Sequence, residues 1–318
     1  MIKVAMLSRW HVHADDYIKE ALHHPDIEVA AIWDEDRSRG EAWANEQGIP
    51  FIAELEDVLS DPDINGVIVD TPTTMHKEII EQAAAHGKHI FSEKVLGLTE
   101  QECEEIFQAV DQAGVHLMLS LPRLSANYYL LGQQLADEGK LGKISSVRCR
   151  VAHDGAVPKD GGKGWLPPHF LKQEGTAGGS LIDLGAHPIY LANRLCGEPV
   201  EVKAMFQHVY RHEVDDQSAV LVKYESGQMA VLETGFVTSG LFQLEIHGSE
   251  GIYLVEDKTA RYKNLETGGE WQEAILPEGL PSAMEQWVSQ IEKGQMPFIT
   301  RQDMRRLTKV NELAYQQD

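Results

Sequence analysis

Two pairs of polar residues in this chain have the types and spacing for chemistry. The first is Glu93-Lys94, which directly follows His89-Ile90-Phe91, the start of a strand. In an open α/β sheet, ligands bind outside the carboxyl ends of parallel strands. An acid and an amine there form a site candidate on position alone. The second pair is Asp183 and His187, in the run Gly178-Gly179-Ser180-Leu181-Ile182-Asp183-Leu184-Gly185-Ala186-His187-Pro188. Four residues apart, they share one face if the segment is helical, and the glycines before them permit a tight backbone path. Histidine titrates nearest neutrality and suits a proton step. A lysine beside an oxygen stabilises developing alkoxide charge, and an aspartate can orient both and bind a hydroxyl. Such groups suit oxidation of a secondary alcohol, where a proton leaves oxygen as a hydride leaves carbon to a cofactor. An Asp–His pair on a helix also serves packing or surface solvation, but that reading explains neither the glycines nor the Glu-Lys pair.

The stretch from Gly66 to Leu96 positions the first pair. Gly66-Val67-Ile68-Val69 is a short apolar run, the mark of a strand buried on both faces. Thr71-Pro72 ends it, because proline brings no N–H to a ladder. Ile79, Ile80, Ala83 and Ala84 recur at helical spacing, and Gly87 stops that helix. Upstream, Ile2 to Leu7 reads as a first strand, Ala14 to His24 as a helix, Ile27 to Trp33 as a second strand ending at Asp34, and Arg37 to Gln47 as a helix. Downstream, Thr99-Glu100-Gln101-Glu102 is a capping box that opens a helix to about Ala113, followed by a strand at His116–Ser120. Strands alternating with helices predict a doubly wound parallel sheet.

After Pro122 the pattern changes. A helix is expected from Ser125 to Gly139. Strands are expected at Ser145–His153, Val200–Val209, Ser218–Tyr224, Met229–Phe236, Phe242–His247 and Gly251–Val255. Their close spacing, with turns such as Glu225-Ser226-Gly227, suggests antiparallel pairing. A helix from Leu181 to Cys196 interrupts the series, and helices at Ser282–Lys293 and Thr300–Tyr315 close the chain. The expectation is an α/β protein: a Rossmann-type domain over 1–121, then an α+β domain over 122–318 with a large, open, mostly antiparallel sheet.

The 318 residues suffice for two cores, and 42% hydrophobic residues exclude a disordered chain. A formal net charge of −22 disfavours nucleic acid and anionic membranes as partners. Cys103, Cys149 and Cys196 show neither disulfide nor metal spacing, which predicts a reducing, cytoplasmic setting. Met1–Leu7 is too short for a signal peptide, and no long apolar run follows.

The order Thr-Pro, a following His, Gly-Lys-His and then Glu-Lys resembles the glucose–fructose oxidoreductase and inositol dehydrogenase family, called Gfo/Idh/MocA. The segment Gly178–Pro188 resembles that family's second motif, with Ser180 for its last glycine. Val95 stands where the family has proline. The resemblance implies a dinucleotide-binding domain, a second domain with an open sheet, and a catalytic set of Lys94, Asp183 and His187 beside a nicotinamide. It implies Ser8, Arg9, Trp10, His11, Asp34, Thr71, Pro72, His76, Glu93 and Lys94 as cofactor contacts. It implies Lys94, Lys172, Asp183 and His187 as substrate contacts; Arg123 and His153, near expected strand ends, and Trp165, in a loop, are further candidates for that role. Trp165 and His169 fall in a Gly-rich segment, 155–175, that reads as a loop over the cleft; the tryptophan is either a sugar-stacking platform or a loop anchor.

The first loop departs from the family. The usual G-x-G-x-x-G is missing, and aligned on Val12-His13-Ala14 the loop is about three residues short. A helix N-terminus still follows, and Arg9, His11 and His13 can reach phosphate with side chains. Asp34 favours NAD over NADP, because an acid there accepts ribose hydroxyls and repels a 2′-phosphate. Arg37 offers that phosphate a partner. The His11-x-His13 pair also resembles the metal-binding pair of amidohydrolase-type barrels, but the second half lacks the βα alternation of a barrel, and no metal is expected. The family implies a sugar, sugar derivative or cyclitol substrate and homodimers or homotetramers. Some relatives oxidise a glycoside transiently without net redox change, and others serve as dinucleotide-responsive regulators.

Overall fold

The first strand, β1 (Ile2–Leu7), is buried along nearly its whole length, as a continuous apolar run requires. In the computed structural model, which describes every residue except Asp160, Leu241, Lys258 and Asp318, it lies inside a five-stranded parallel sheet. Its companions are β2 (Ile27–Trp33), β3 (Gly66–Val69), β4 (His89–Ser92) and β5 (Leu117–Leu119), in the order β2-β1-β3-β4-β5. Helices Ala14–His23, Arg37–Gln47, His76–Ala85 and Glu100–Ala113 form the crossovers. A short helix at Leu55–Ser60, too brief to show periodicity, also lies here.

The chain forms two compact units, 1–120 with 281–300, and 121–280 with 301–318. The helix Ala283–Lys293 therefore belongs with the first sheet, whereas its place in sequence put it in the second domain. Its apolar face (Ala283, Met284, Trp287, Val288) is buried, and Trp287 meets Phe91 of β4 with ring centroids 5.9 Å apart. Ser282 and Glu285 form a full capping box at its start.

The second unit holds an eight-stranded sheet. Its strands are β6 (Ile144–Ala152), β7 (Pro199–Gln207), β8 (Gln217–Tyr224), β9 (Met229–Gly235), β10 (Gln243–Gly248), β11 (Ile252–Glu256), β12 (Thr259–Lys263) and β13 (Gln272–Glu273). The order is β13-β12-β11-β10-β6-β9-β8-β7, antiparallel except for the β6–β9 pair. β12 and β13 were not foreseen; both are short and polar. Helices Asn127–Asp137, Ala186–Cys196 and Arg301–Tyr315 belong to this unit, and the latter two pack on the sheet. Val220 and Val222 face inward and are buried, so alternation puts Ala219, Leu221 and Lys223 on the open face, level with Met205, Val231 and Met229. Among the described residues no helix is long and apolar enough to cross a membrane.

The helix expected from Leu181 begins only at Ala186, after a turn over 181–185. Pro188 is the reason. Proline lacks an N–H and fits only the first turn of a helix, so a start at Leu181 would put it in the interior. Asp183 thus lies in the turn, not on a helical face with His187.

The rings of His89 and His116 stack with centroids 5.2 Å apart, and the His116 N–H donates to His89 Nδ1 at 3.0 Å. Burial, then the neighbouring His116, pushes the His89 pKa from 6.5 down to about 4. The unfolded chain takes this proton near the ordinary value, whereas the folded chain resists it. The contribution to stability is therefore complete above pH 6.5 and is lost as pH falls through about 4. Replacing His89 by Gln should flatten the fall in melting temperature across that window. Parallel curves for wild type and variant would contradict it.

Candidate functional site

At the end of β1 the backbone turns at Ser8, whose φ of 79° is in the left-handed region. Glycine normally takes that conformation, and serine adopts it at a cost of about 1–3 kcal/mol. The turn of a dinucleotide fold is thus kept without its glycine. Ser8 Oγ accepts the Trp10 N–H at 3.0 Å, and the Arg9 N–H donates to Asp34 Oδ2 at 2.9 Å. Asp34, buried at the end of β2, also accepts the Asp36 N–H at 2.8 Å. Arg39 grips the same carboxylate bidentately, Nε to Oδ2 at 2.9 Å and Nη2 to Oδ1 at 2.7 Å. The helix approaches so closely that a Cβ on Gly40 would lie 2.6 Å from Asp34 Cβ. Arg37, which the sequence offered as the rival to Asp34, instead pairs with Glu41 and is exposed. Arg9 pairs with Asp15 and Glu46.

Glu93 lies at the end of β4 with 1% of its surface exposed. Its Oε1 is 3.4 Å from Lys94 Nζ, itself buried. Its Oε2 lies 3.1 Å from His13 Nδ1 and accepts the hydroxyl of Tyr17, which is 2.6 Å from Ser120 Oγ. Burial pushes the Glu93 carboxyl up, and His11, His13 and Lys94 more than reverse this, holding it well below the usual range. Burial and then Glu93 push the Tyr17 pKa well up, so Tyr17 remains a donor. The sequence named Glu93 and Lys94 but missed Tyr17, whose helical position carried no signal beyond an aromatic in an apolar stripe. The Lys94–Val95 peptide is cis.

The end of β3 presents buried polar atoms that lack hydrogen-bond partners: both carboxylate oxygens of Asp70 and Oγ1 of Thr71. Burial, followed by repulsion from Glu93 and Asp15, pushes the Asp70 pKa well up. Pro72 caps the 3₁₀ turn Thr73–Met75. His76 acts as a strut, its ring nitrogens 2.6 Å from the Val95 carbonyl and 3.2 Å from the Thr71 carbonyl.

In the second unit, His187 is buried and its Nδ1 lies 2.8 Å from the Tyr190 hydroxyl. The Arg123 N–H donates to the same oxygen at 3.2 Å, so the structure brings Arg123 and His187 together through a tyrosine that the sequence reading missed. Asp183 is half-buried. The turn that carries it is fixed by Asp215, which accepts the N–H groups of Gly179 (2.9 Å) and Leu181 (3.0 Å) and the hydroxyls of Ser180, Ser218 and Tyr315. A Cβ on Gly179 would lie 1.9 Å from the Asp215 carbonyl oxygen, so only glycine fits there. His153 contacts Trp165 with ring centroids 4.7 Å apart, and the Trp165 indole N–H donates to Asp154 at 3.3 Å. Lys172 lines a cavity of about 390 Å³ with Lys163, Arg211 and His212.

These features meet the demands of a dinucleotide at the first unit's strand ends. The left-handed Ser8 turn, the acid at the end of β2 and the orphaned Thr71 hydroxyl are groups that such a ligand would engage. The description "Oxidoreductase family, NAD-binding Rossmann fold" matches residues 10–121, and the GFO/IDH/MocA C-terminal domain matches 129–254. The chain belongs to the GFO/IDH/MocA oxidoreductase family. Its relatives include 1,5-anhydro-D-fructose reductase from Ensifer adhaerens, 28% identical over 91% of this chain and 88% of the relative. Another is scyllo-inositol 2-dehydrogenase (NADP(+)) from Bacillus subtilis, 24% identical over 93% of this chain and 90% of the relative. Levoglucosan dehydrogenase, solved with NADH and levoglucosan, shares the fold with a TM-score of 0.83 at 20% identity, covering 99% of this chain and 96% of that one.

Asp215→Ala should cost about 3–5 kcal/mol in denaturant unfolding, since it strands two buried N–H groups and three hydroxyls. A loss under about 1 kcal/mol would show that the turn holds itself.

Proposed function

We propose that this oxidoreductase moves a hydride between NAD and a secondary alcohol or ketone carbon of a sugar, sugar derivative or cyclitol. The observation that carries the reading is a buried Lys94 held against Glu93, in a chain that also keeps Asp183 and a buried His187. The names of the relatives support the substrate class. Bound dinucleotide supplies the hydride acceptor. Asp34 would meet its ribose, the Ser8–His11 turn its phosphates, and Thr71 and Glu93 the neighbouring strand ends.

Lys94 steadies the alkoxide as charge develops on oxygen. His187 takes the hydroxyl proton. To act through Nε2, a neutral imidazole must carry its proton on Nδ1 and donate it to Tyr190 Oη, which makes Tyr190 a positioning residue. Asp183 binds a substrate hydroxyl. The test is formation of NADH with a panel of sugars and inositols. Turnover with at least one supports the reading. Tight dinucleotide binding without turnover would favour a regulator, a role the glycine-free loop also suits.

NAD should bind more tightly than NADP in calorimetric titration, because Asp34, Glu35 and Asp36 crowd the end of β2 with acids. Tighter NADP binding would assign the pocket to Arg39, released from Asp34. All three cysteines are buried thiols outside any disulfide, which supports a cytoplasmic setting. The open sheet face supports a homodimer or homotetramer. Met205 is 75% exposed there, with Leu221 and Met229 each at 49%. Light scattering at micromolar concentration should give at least a dimer, and a monomer would contradict it.

A further inference from the structure

We propose that His11, His13 and Glu93 form a binding site for one divalent transition-metal ion such as Zn²⁺ or Co²⁺. One ligand atom from each lies within 4.8 Å of the others, and the imidazole rings are neighbours with centroids 4.6 Å apart. Around a tetrahedral ion with bonds of about 2.0–2.2 Å, ligand atoms sit roughly 3.3–3.6 Å apart. His13 Nδ1 and Glu93 Oε2 are already 3.1 Å apart, and His11 Nδ1 is 3.9 Å from the same oxygen.

The hydrogen bonding shows why an ion suits this gap. The backbone N–H of His13 points to His11 Nδ1 at 3.2 Å. An amide can only donate, so that nitrogen presents a lone pair. Glu93 Oε2 is also an acceptor. Two lone-pair atoms thus face each other with no proton between them, an arrangement that a cation relieves. The two carboxylate oxygens of Glu93 divide the work: Oε1 faces Lys94, which a metal would avoid, whereas Oε2 faces the imidazoles and Tyr17. The Asp70 carboxyl is buried without a hydrogen-bond partner, and burial and then Glu93 push its pKa well up; a cation nearby would favour its ionised form. On binding, His13 moves its Nδ1 proton to Nε2 or to solvent, and His11 exchanges a long amide contact for the ion. Two imidazoles and one carboxylate leave at least one coordination position open, the set used for reactive rather than structural ions.

The test uses the full chain, stripped with chelator and without dinucleotide, so that its outcome does not depend on the proposed redox activity. Titration with Co²⁺ is followed by visible d–d absorption and by calorimetry. One equivalent should bind. His11→Ala and His13→Ala should each weaken binding by more than about 100-fold, whereas His247→Ala, on the open sheet, should leave it unchanged. Near-UV circular dichroism checks the fold. If the buried His11 variant does not fold, the more exposed His13 variant decides. Absence of one-equivalent binding in the wild type, or binding retained in His13→Ala, would overturn the site.

Discussion

The first unit depends on the burial of one carboxylate. Ionised Glu93 at 1% exposure loses nearly all hydration, a penalty of several kcal/mol unless neighbours replace the water. They come from three directions, one of them braced by a further residue. Lys94 lies next in the chain, His13 comes from the loop after β1, Tyr17 from the following helix, and Ser120 holds Tyr17 from the end of β5. The loop after β1 is thereby tied to the carboxyl ends of β4 and β5, neither of which pairs with β1. The loop after β1 can be short and free of glycine because its own groups anchor it. Arg9 N–H is fixed on Asp34, His11 N–H on the Asp70 carbonyl and His13 on Glu93.

The second unit solves a similar problem with Asp215. Its carboxylate collects two backbone N–H groups and three hydroxyls and so sets the path of the glycine turn that ends at His187. Charge is used here to shape backbone, and the helix that follows carries His187 and Tyr190 in its first turns.

Much of this was legible in the sequence, for reasons that can be named. Apolar runs marked β1 to β3, Ile90-Phe91 after the Gly87 stop marked β4, and helical periodicity with glycine stops marked the crossovers. Glu93-Lys94 stood out because the strand before them was clear. Relations that depend on phase or distance were not legible. Val220 and Val222 alternate correctly, but periodicity does not say which face meets the helices. Arg39 rather than Arg37 grips Asp34, which depends on where the helix cap at Asp36 falls. Trp287 reaches Phe91 from the far end of the chain, a contact no local pattern encodes. Pro188 did carry the signal for the late helix start, since its missing N–H restricts it to a first turn.

The central claim is that His187 removes the proton as hydride leaves carbon. Single-turnover hydride transfer at saturating dinucleotide, across about pH 6 to 9, tests it most directly. His187→Ala should transfer hydride about 10²–10⁴ times more slowly than wild type, with dinucleotide binding unchanged. Transfer at the wild-type rate across that range would contradict the assignment.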